Sequence, residues 1–342
     1  MQNQNREMGI PSQFMLEKKR RQRLWVIIVM SLLVLITMPM FGLTFLTPFG
    51  DGSAIFWQMR VPRSLAAWMV GAGLSLSGLI FQAILRNPLA EPFTLGVAAG
   101  ASLGAAIYIY LGLSFTLGVL SGLSLSAFLG ALLITGIIYQ VNFRTGHSPI
   151  KLLLMGVILT FFISSILMLL QSLGKSSSAL AMMSWMIGRL SFVSLTDFGQ
   201  LAVVFGVTSA IIFGFTTKLN LLQQGEAVAL SRGINSRRVM AFLFLIVSLM
   251  TGVFVAIAGP IGFIGMVIPH IARHFFGSDH RLLFWASLFL GGAVLVVADT
   301  LGSVILRPAE IPVGVITALL GAPFFLYILL KGQQIPRFIK KS

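Results

Sequence analysis

"RVPRSLAAWMVGAGLSLSGLIFQAILRNPLAEPFTLGVAAGASLGA", Arg60 to Ala105, decides the class of this chain. Residues 62–84 form an apolar run long enough to cross a bilayer as a helix, since about 20 apolar residues suffice. A polar corner follows, with Arg86, Asn87, Pro88, Glu91 and Pro92, and a second apolar run starts near 93. The prolines stop one helix and start the next. The next run opens with Gly96, Gly100 and Gly104, a spacing of four that predicts a close helix–helix face.

Outward from this stretch the same alternation continues in both directions. Candidate spans lie near 24–46, 62–84, 93–112, 115–140, 150–173, 197–217, 238–258, 262–275, 282–304 and 312–331. The expected fold class is therefore all-α, a polytopic membrane protein of about ten transmembrane helices. The run at 262–275 is short and follows Gly259-Pro260, which predicts a broken or re-entrant helix shielded by protein. The totals agree: the 342 residues are 57% hydrophobic and 10% charged, with mean hydropathy +0.96. A soluble domain carries about 25% charged residues. The expected organisation is a basic N-terminal segment 1–23, one transmembrane domain 24–331 and a basic tail 332–342. The run after Arg23 is too long for a signal peptide and lacks a small-residue cleavage site, so an uncleaved first span is expected.

The net charge of +15 does not indicate nucleic acid, because the basic residues cluster at the ends of apolar runs. With the N-terminus inside, nineteen Lys and Arg fall at inner span ends and five at outer ends, namely Arg60, Arg63, Lys175, Arg189 and Arg307. Both termini are thus expected in the cytoplasm, with membrane lipid as the surrounding partner. The absence of cysteine rules out disulfides, thiolate metal sites and thiol catalysis.

No catalytic constellation emerges, and the chain reads as a non-enzyme. His270 and His274 stand one turn apart, but the intervening Glu of a zinc hydrolase is missing, so no metal site is expected. "LGKSS" at 173–177 mimics the end of a phosphate loop, yet Leu169 occupies the position of the first glycine. The chain itself is expected to bind neither ATP nor another cofactor. Asp299, late in an apolar run, invites either a substrate or proton role or a structural pairing near the helix end.

Two features read as docking surfaces. Arg60 and Arg63 bracket Pro62 at an outer span end, against the charge bias, and guanidinium forks suit an external partner's carboxylates. "KLNLLQQGEAVALSRGINSRR", Lys218 to Arg238, reads as a short amphipathic helix, a stop at Gly233 and a basic re-entry.

Taken together these stretches resemble the FecCD family, the permease subunits of bacterial ABC importers for iron-siderophores, haem and vitamin B12. The resemblance runs over 60–105, "GEAVALSRGIN" (225–235), "AGPIGFIGMVIPHIAR" (258–273) and "ADTLGSVILRPAEIPVGVITALLGAPFFLYILL" (298–330). It implies an ABC type II importer permease fold with ten spans per subunit, in the cytoplasmic membrane. It implies a homodimer or a heterodimer of close paralogues, two cytoplasmic ATPase subunits that use ATP, and an extracytoplasmic solute-binding protein. It implies that Arg60 and Arg63 grip the binding protein. It implies that Leu221, Leu222, Gly225, Glu226, Ala229, Arg232 and Gly233 couple to the ATPase, although Arg232-Gly233 stands where relatives carry Leu-Gly. The run 150–173, with Thr160, Ser164, Ser165 and Gln171, is similar to the span lining the path. Family members carry an arginine four residues beyond the Asp299 position; here Ser303 stands there, and Arg307 is expected to take over its docking role. The expected cargo is a ferric siderophore, with haem or cobalamin as the alternative. A proton-coupled carrier relaying through Asp299 is the rival from another class.

Overall fold

A computed structural model describes residues 13–42, 44–50, 52–117, 120–144, 149–190, 195–306 and 308–330. Among the described residues the fold is all-α apart from a minute hairpin, Thr116–Leu117 with Leu120–Ser121. In chain order the helices are α1 (Gln13–Thr37), α2 (Ser53–Leu85), α3 (Val97–Tyr110), α4 (Gly122–Arg144), α5 (Pro149–Leu173) and α6 (Ser176–Met186). There follow α7 (Leu195–Gln223), α8 (Glu226–Ser231), α9 (Ser236–Ala258), α10 (Ile264–Phe276), α11 (His280–Ile305) and α12 (Val313–Leu330). Among the described residues seven helices are long and apolar enough to cross a membrane. Two shorter apolar helices, α3 and α12, and the 13-residue α10 lie where the other three spans were expected.

The core is built around α2. Most of its length is buried, and α11, α9, α10 and α7 surround it. Small residues make this possible: a side chain on Gly78 would overlap the Gly265 carbonyl, so α2 and α10 touch backbone to backbone. Gly100 and Gly104 of α3 approach the Gly130 and Ser126 carbonyls of α4 in the same way. Gly96 has a different task. It sits at the N-cap of α3 with φ +75°, a left-handed conformation that glycine adopts without steric cost.

Three departures from the sequence reading have physical causes. The second span starts at Ser53 rather than 62, because a π-helical turn, Phe56–Arg60, carries the helix past Pro62. The segment after α5 holds a further helix, α6, between Gly174 and Gly188. And the polar corner 86–96 is not a surface loop throughout. Glu91 is only 6% exposed, because the start of α10 covers it.

That start is the expected break. α9 ends at Ala258, Gly259 takes φ +70° and Phe263 φ +69°, and α10 begins one residue later. The Glu91 carboxyl lies against the backbone of Phe263 and Met266, where a helix N-terminus leaves donors open. Gln82 Nε2 donates to the Gly265 and Met266 carbonyls at 3.0 and 3.3 Å, and Arg273 Nη1 donates to Gln82 Oε1. The irregular backbone is thus bonded within the protein, the condition for tolerating it at this place.

Candidate functional site

Arg63 extends from α2 into a cluster of charges. Its Nε and Nη2 meet Asp299 Oδ2 and Oδ1 of α11 at 2.9 and 3.0 Å, a side-on fork. Its Nη1 lies 3.3 Å from both oxygens of Glu310, in the link between α11 and α12. Arg189 Nη2 approaches Glu310 from the segment after α6, at 3.8 Å. Asp299 is therefore the buried partner of an ion pair, with its side chain 10% exposed. The structural pairing weighed for it is what the fold contains, with an arginine rather than backbone as partner.

Arg60, one turn before Arg63, points elsewhere. Its guanidinium faces the Pro39 and Met40 carbonyls at 3.4 and 3.2 Å and so braces the turn that follows α1. Between the two arginines opens a cavity of about 240 Å³. Asp299, Ser303 and Glu310 line it together with both guanidiniums. Ser303, at the position where an arginine was expected, donates to the Thr300 carbonyl at 2.8 Å. Arg307 lies outside the described residues.

The opposite end of the bundle carries α8. From His280 to Asp299, α11 rises about 29 Å at 1.5 Å per residue, close to a bilayer's hydrocarbon thickness. At this end Asn220 of α7 joins α11, donating to Asp279 at 2.7 Å and accepting from His280 N at 2.8 Å. Gly225, at φ +120°, breaks α7 from α8, and Gly233, at φ +74°, ends α8 as the sequence stop predicted. Asn235 then caps α9 by accepting from Arg238 N. Leu222 and Ala229 face inward and are buried, Leu221 is half-buried, and Arg232 is exposed. Leu230, which the sequence reading did not single out, is 67% exposed. Glu226 opens α8, its side chain lying outside the described residues.

On α5, the hydroxyls of Thr160, Ser164 and Ser165 donate to the carbonyls of Gly156, Thr160 and Phe161, four residues back. These bonds mask the polarity of three serine and threonine side chains on an otherwise apolar helix. Gln171 Nε2 reaches Met186 Sδ of α6 at 3.5 Å. The outer surface of α5 is broadly exposed, Ile150, Leu154, Phe161 and Met168 among it. Among the described residues no three or more His, Asp or Glu gather as metal ligands would.

The FecCD transport family matches residues 23–331. A Helicobacter pylori (strain J99) protein named a probable iron chelatin transport system permease is 38% identical over 285 residues, 83% of this chain and 84% of that one. The vitamin B12 import system permease protein BtuC of Yersinia pseudotuberculosis is 36% identical over 330 residues, 94% of this chain and 97% of that one. Among solved structures, an inward-facing metal-chelate type ABC transporter superposes with TM-score 0.82 at 28% identity, covering 91% of this chain and 99% of that one. A match over nearly the whole chain, carried by the same fold and by relatives of equal length, leaves one assignment: the chain belongs to the FecCD transport family.

Proposed function

We propose that this permease is the membrane-spanning subunit of an ABC importer that moves a ferric-siderophore-type iron complex into the cytoplasm. Separate ATPase subunits supply the energy. The observation that carries the reading is the pair of exposed ends on one membrane-length bundle: a charged cavity at Arg60 and Arg63, and a short protruding helix at Leu230. The first suits an acidic external protein, the second a cytoplasmic one. In this reading 24–331 acts as one transmembrane domain with both basic termini inside, in the cytoplasmic membrane. Two copies, or this chain and a close paralogue, enclose a path along α5 through Thr160, Ser164, Ser165 and Gln171. A solute-binding protein docks at Arg60, Arg63 and Arg307. The ATPase engages Leu221, Leu222, Gly225, Glu226, Ala229, Arg232 and Gly233, and ATP is used there and not by this chain.

The iron-chelate choice is supported by the Helicobacter relative; cobalamin is favoured by the Yersinia relative, which matches more of this chain. Co-reconstitution of the chain with its ATPase and binding protein in vesicles decides between them. ATP-dependent uptake of a labelled ferric siderophore, with cobalamin excluded, is the expected result. Uptake of cobalamin alone overturns the cargo, and uptake driven by a proton gradient without ATPase overturns the ABC reading.

A further inference from the structure

Arg63 is held unequally on its two sides, and the inequality marks which partner is exchangeable. Toward Asp299 it makes a side-on fork at 2.9 and 3.0 Å, from one helix to another. Toward Glu310 a single nitrogen is shared between two oxygens at 3.3 Å, and the second cation on that carboxylate, Arg189, stands off at 3.8 Å. Exposure follows the same order: 10% for the Asp299 side chain, 25% for Glu310 and 50% for Arg189. Asp299 belongs to a helix, whereas Glu310 sits in the irregular link before α12.

Among the described residues the ion-paired groups, Arg63 and Arg189 against Asp299 and Glu310, balance in charge, with Arg60 lining the cavity beside them. A carboxylate arriving from outside would meet no unspent charge at Arg63 while Glu310 stays in place. Room for it exists, because the 240 Å³ cavity is lined by Arg63 and Glu310 together.

We infer that Glu310 is a placeholder, an internal carboxylate that occupies Arg63 in the resting permease and yields it to a carboxylate of the docking protein. The inference rests on the docking reading proposed above. Displacing Glu310 has a path into the bundle. The next residue, Ile311, donates its N–H to the Gly302 carbonyl of α11, and Gly314 of α12 donates to the Gly188 carbonyl beside Arg189. Docking thereby loosens the link that anchors the start of α12, and Asp299 keeps Arg63 aimed while this happens.

The test compares wild type, Glu310→Gln and Glu310→Ala permease in nanodiscs, with ATPase subunits bound, for affinity toward the cognate solute-binding protein. Both variants remove the competitor, and binding tightens about tenfold because like charges across an interface oppose association. The chain has no cysteine, so Ala309→Cys gives a single labelling site in the link. Its fluorophore signal shifts on docking in the wild type and is already shifted in the Glu310→Gln background. Unchanged or weaker binding by the variants, or a label silent to docking, overturns the exchange while leaving the docking surface standing. A wild type that binds no solute-binding protein overturns both.

Discussion

Arg63 and Asp299 lie 236 residues apart in the chain and meet side-on through two hydrogen bonds of 2.9 and 3.0 Å, joining α2 to α11. These two helices make the most extensive packing contact of the bundle, so the ion pair fixes the register of its central seam.

Truncating either partner leaves a largely buried charge without its counter-ion. Arg63→Ala and Asp299→Ala are each expected to destabilise the fold by about 3 kcal/mol, the low end for a broken buried pair, because a quarter of Arg63 reaches solvent. Replacing both by apolar residues, Arg63→Met with Asp299→Leu, removes the unpaired charge and recovers most of that loss. Thermal unfolding of the solubilised chain reads the cycle. A double variant no more stable than the singles would show that the pair does not act as a unit.

The glycines divide into two sets with opposite expectations. Gly78→Ala drives a methyl group into the Gly265 carbonyl and separates α2 from α10, at a cost of about 1–3 kcal/mol for overpacking. Gly136 in α4 and Gly206 in α7 have open space where a side chain would go. Alanine there is neutral or stabilises by up to about 1 kcal/mol through helix propensity. The ranking of melting temperatures checks both sets at once.

Glu91 makes stability depend on pH. Burial pushes its carboxyl up to about 7, against the pull of two backbone N–H groups at the start of α10. A carboxyl raised in the folded state contributes its full stability below the unfolded value near 4.5 and loses it as pH rises through the folded value near 7. A shift of this size corresponds to on the order of 3 kcal/mol. Between pH 5 and 8 the wild type is therefore expected to lose stability that Glu91→Gln retains. Equal slopes for the two proteins would remove Glu91 as the cause.

The helices were legible in the sequence because membrane spans announce themselves through composition and length alone. The stop after α8 was legible too, since Gly233 is a local signal whose positive φ needs no distant partner, whereas the break at Gly225 between α7 and α8 was not read. What stayed hidden depends on contacts remote in sequence. Asp299 and Glu310 could not be assigned to Arg63 from spacing, because helix packing alone brings them together. Arg60 and Arg63 looked alike as a bracketing pair, yet one reaches backbone carbonyls and the other carboxylates remote in sequence. Glu91 stood in the sequence only as part of a polar corner, and it is the start of α10, some 170 residues later, that buries it. The α6 helix was missed because Ser176, Ser177 and Ser178 open it with the composition of a loop.

The exposed helix at the other end offers the cleanest separation of stability from coupling. In α8, Ala229 is fully buried against the bundle, while Leu230 presents two-thirds of its surface. An apolar side chain that exposed on a six-residue helix gains little from the fold of its own chain, and in the proposed function it is an anchor for the ATPase. Leu230→Asp is expected to leave the melting temperature unchanged and to lower ATPase-dependent uptake at least about tenfold, the loss typical of a buried interface anchor. Ala229→Leu should do the reverse in order: overpacking destabilises by about 1–3 kcal/mol and tilts α8, so uptake falls together with stability. Paired melting curves and uptake rates distinguish the two, and a Leu230→Asp variant with wild-type uptake would place the ATPase contact elsewhere.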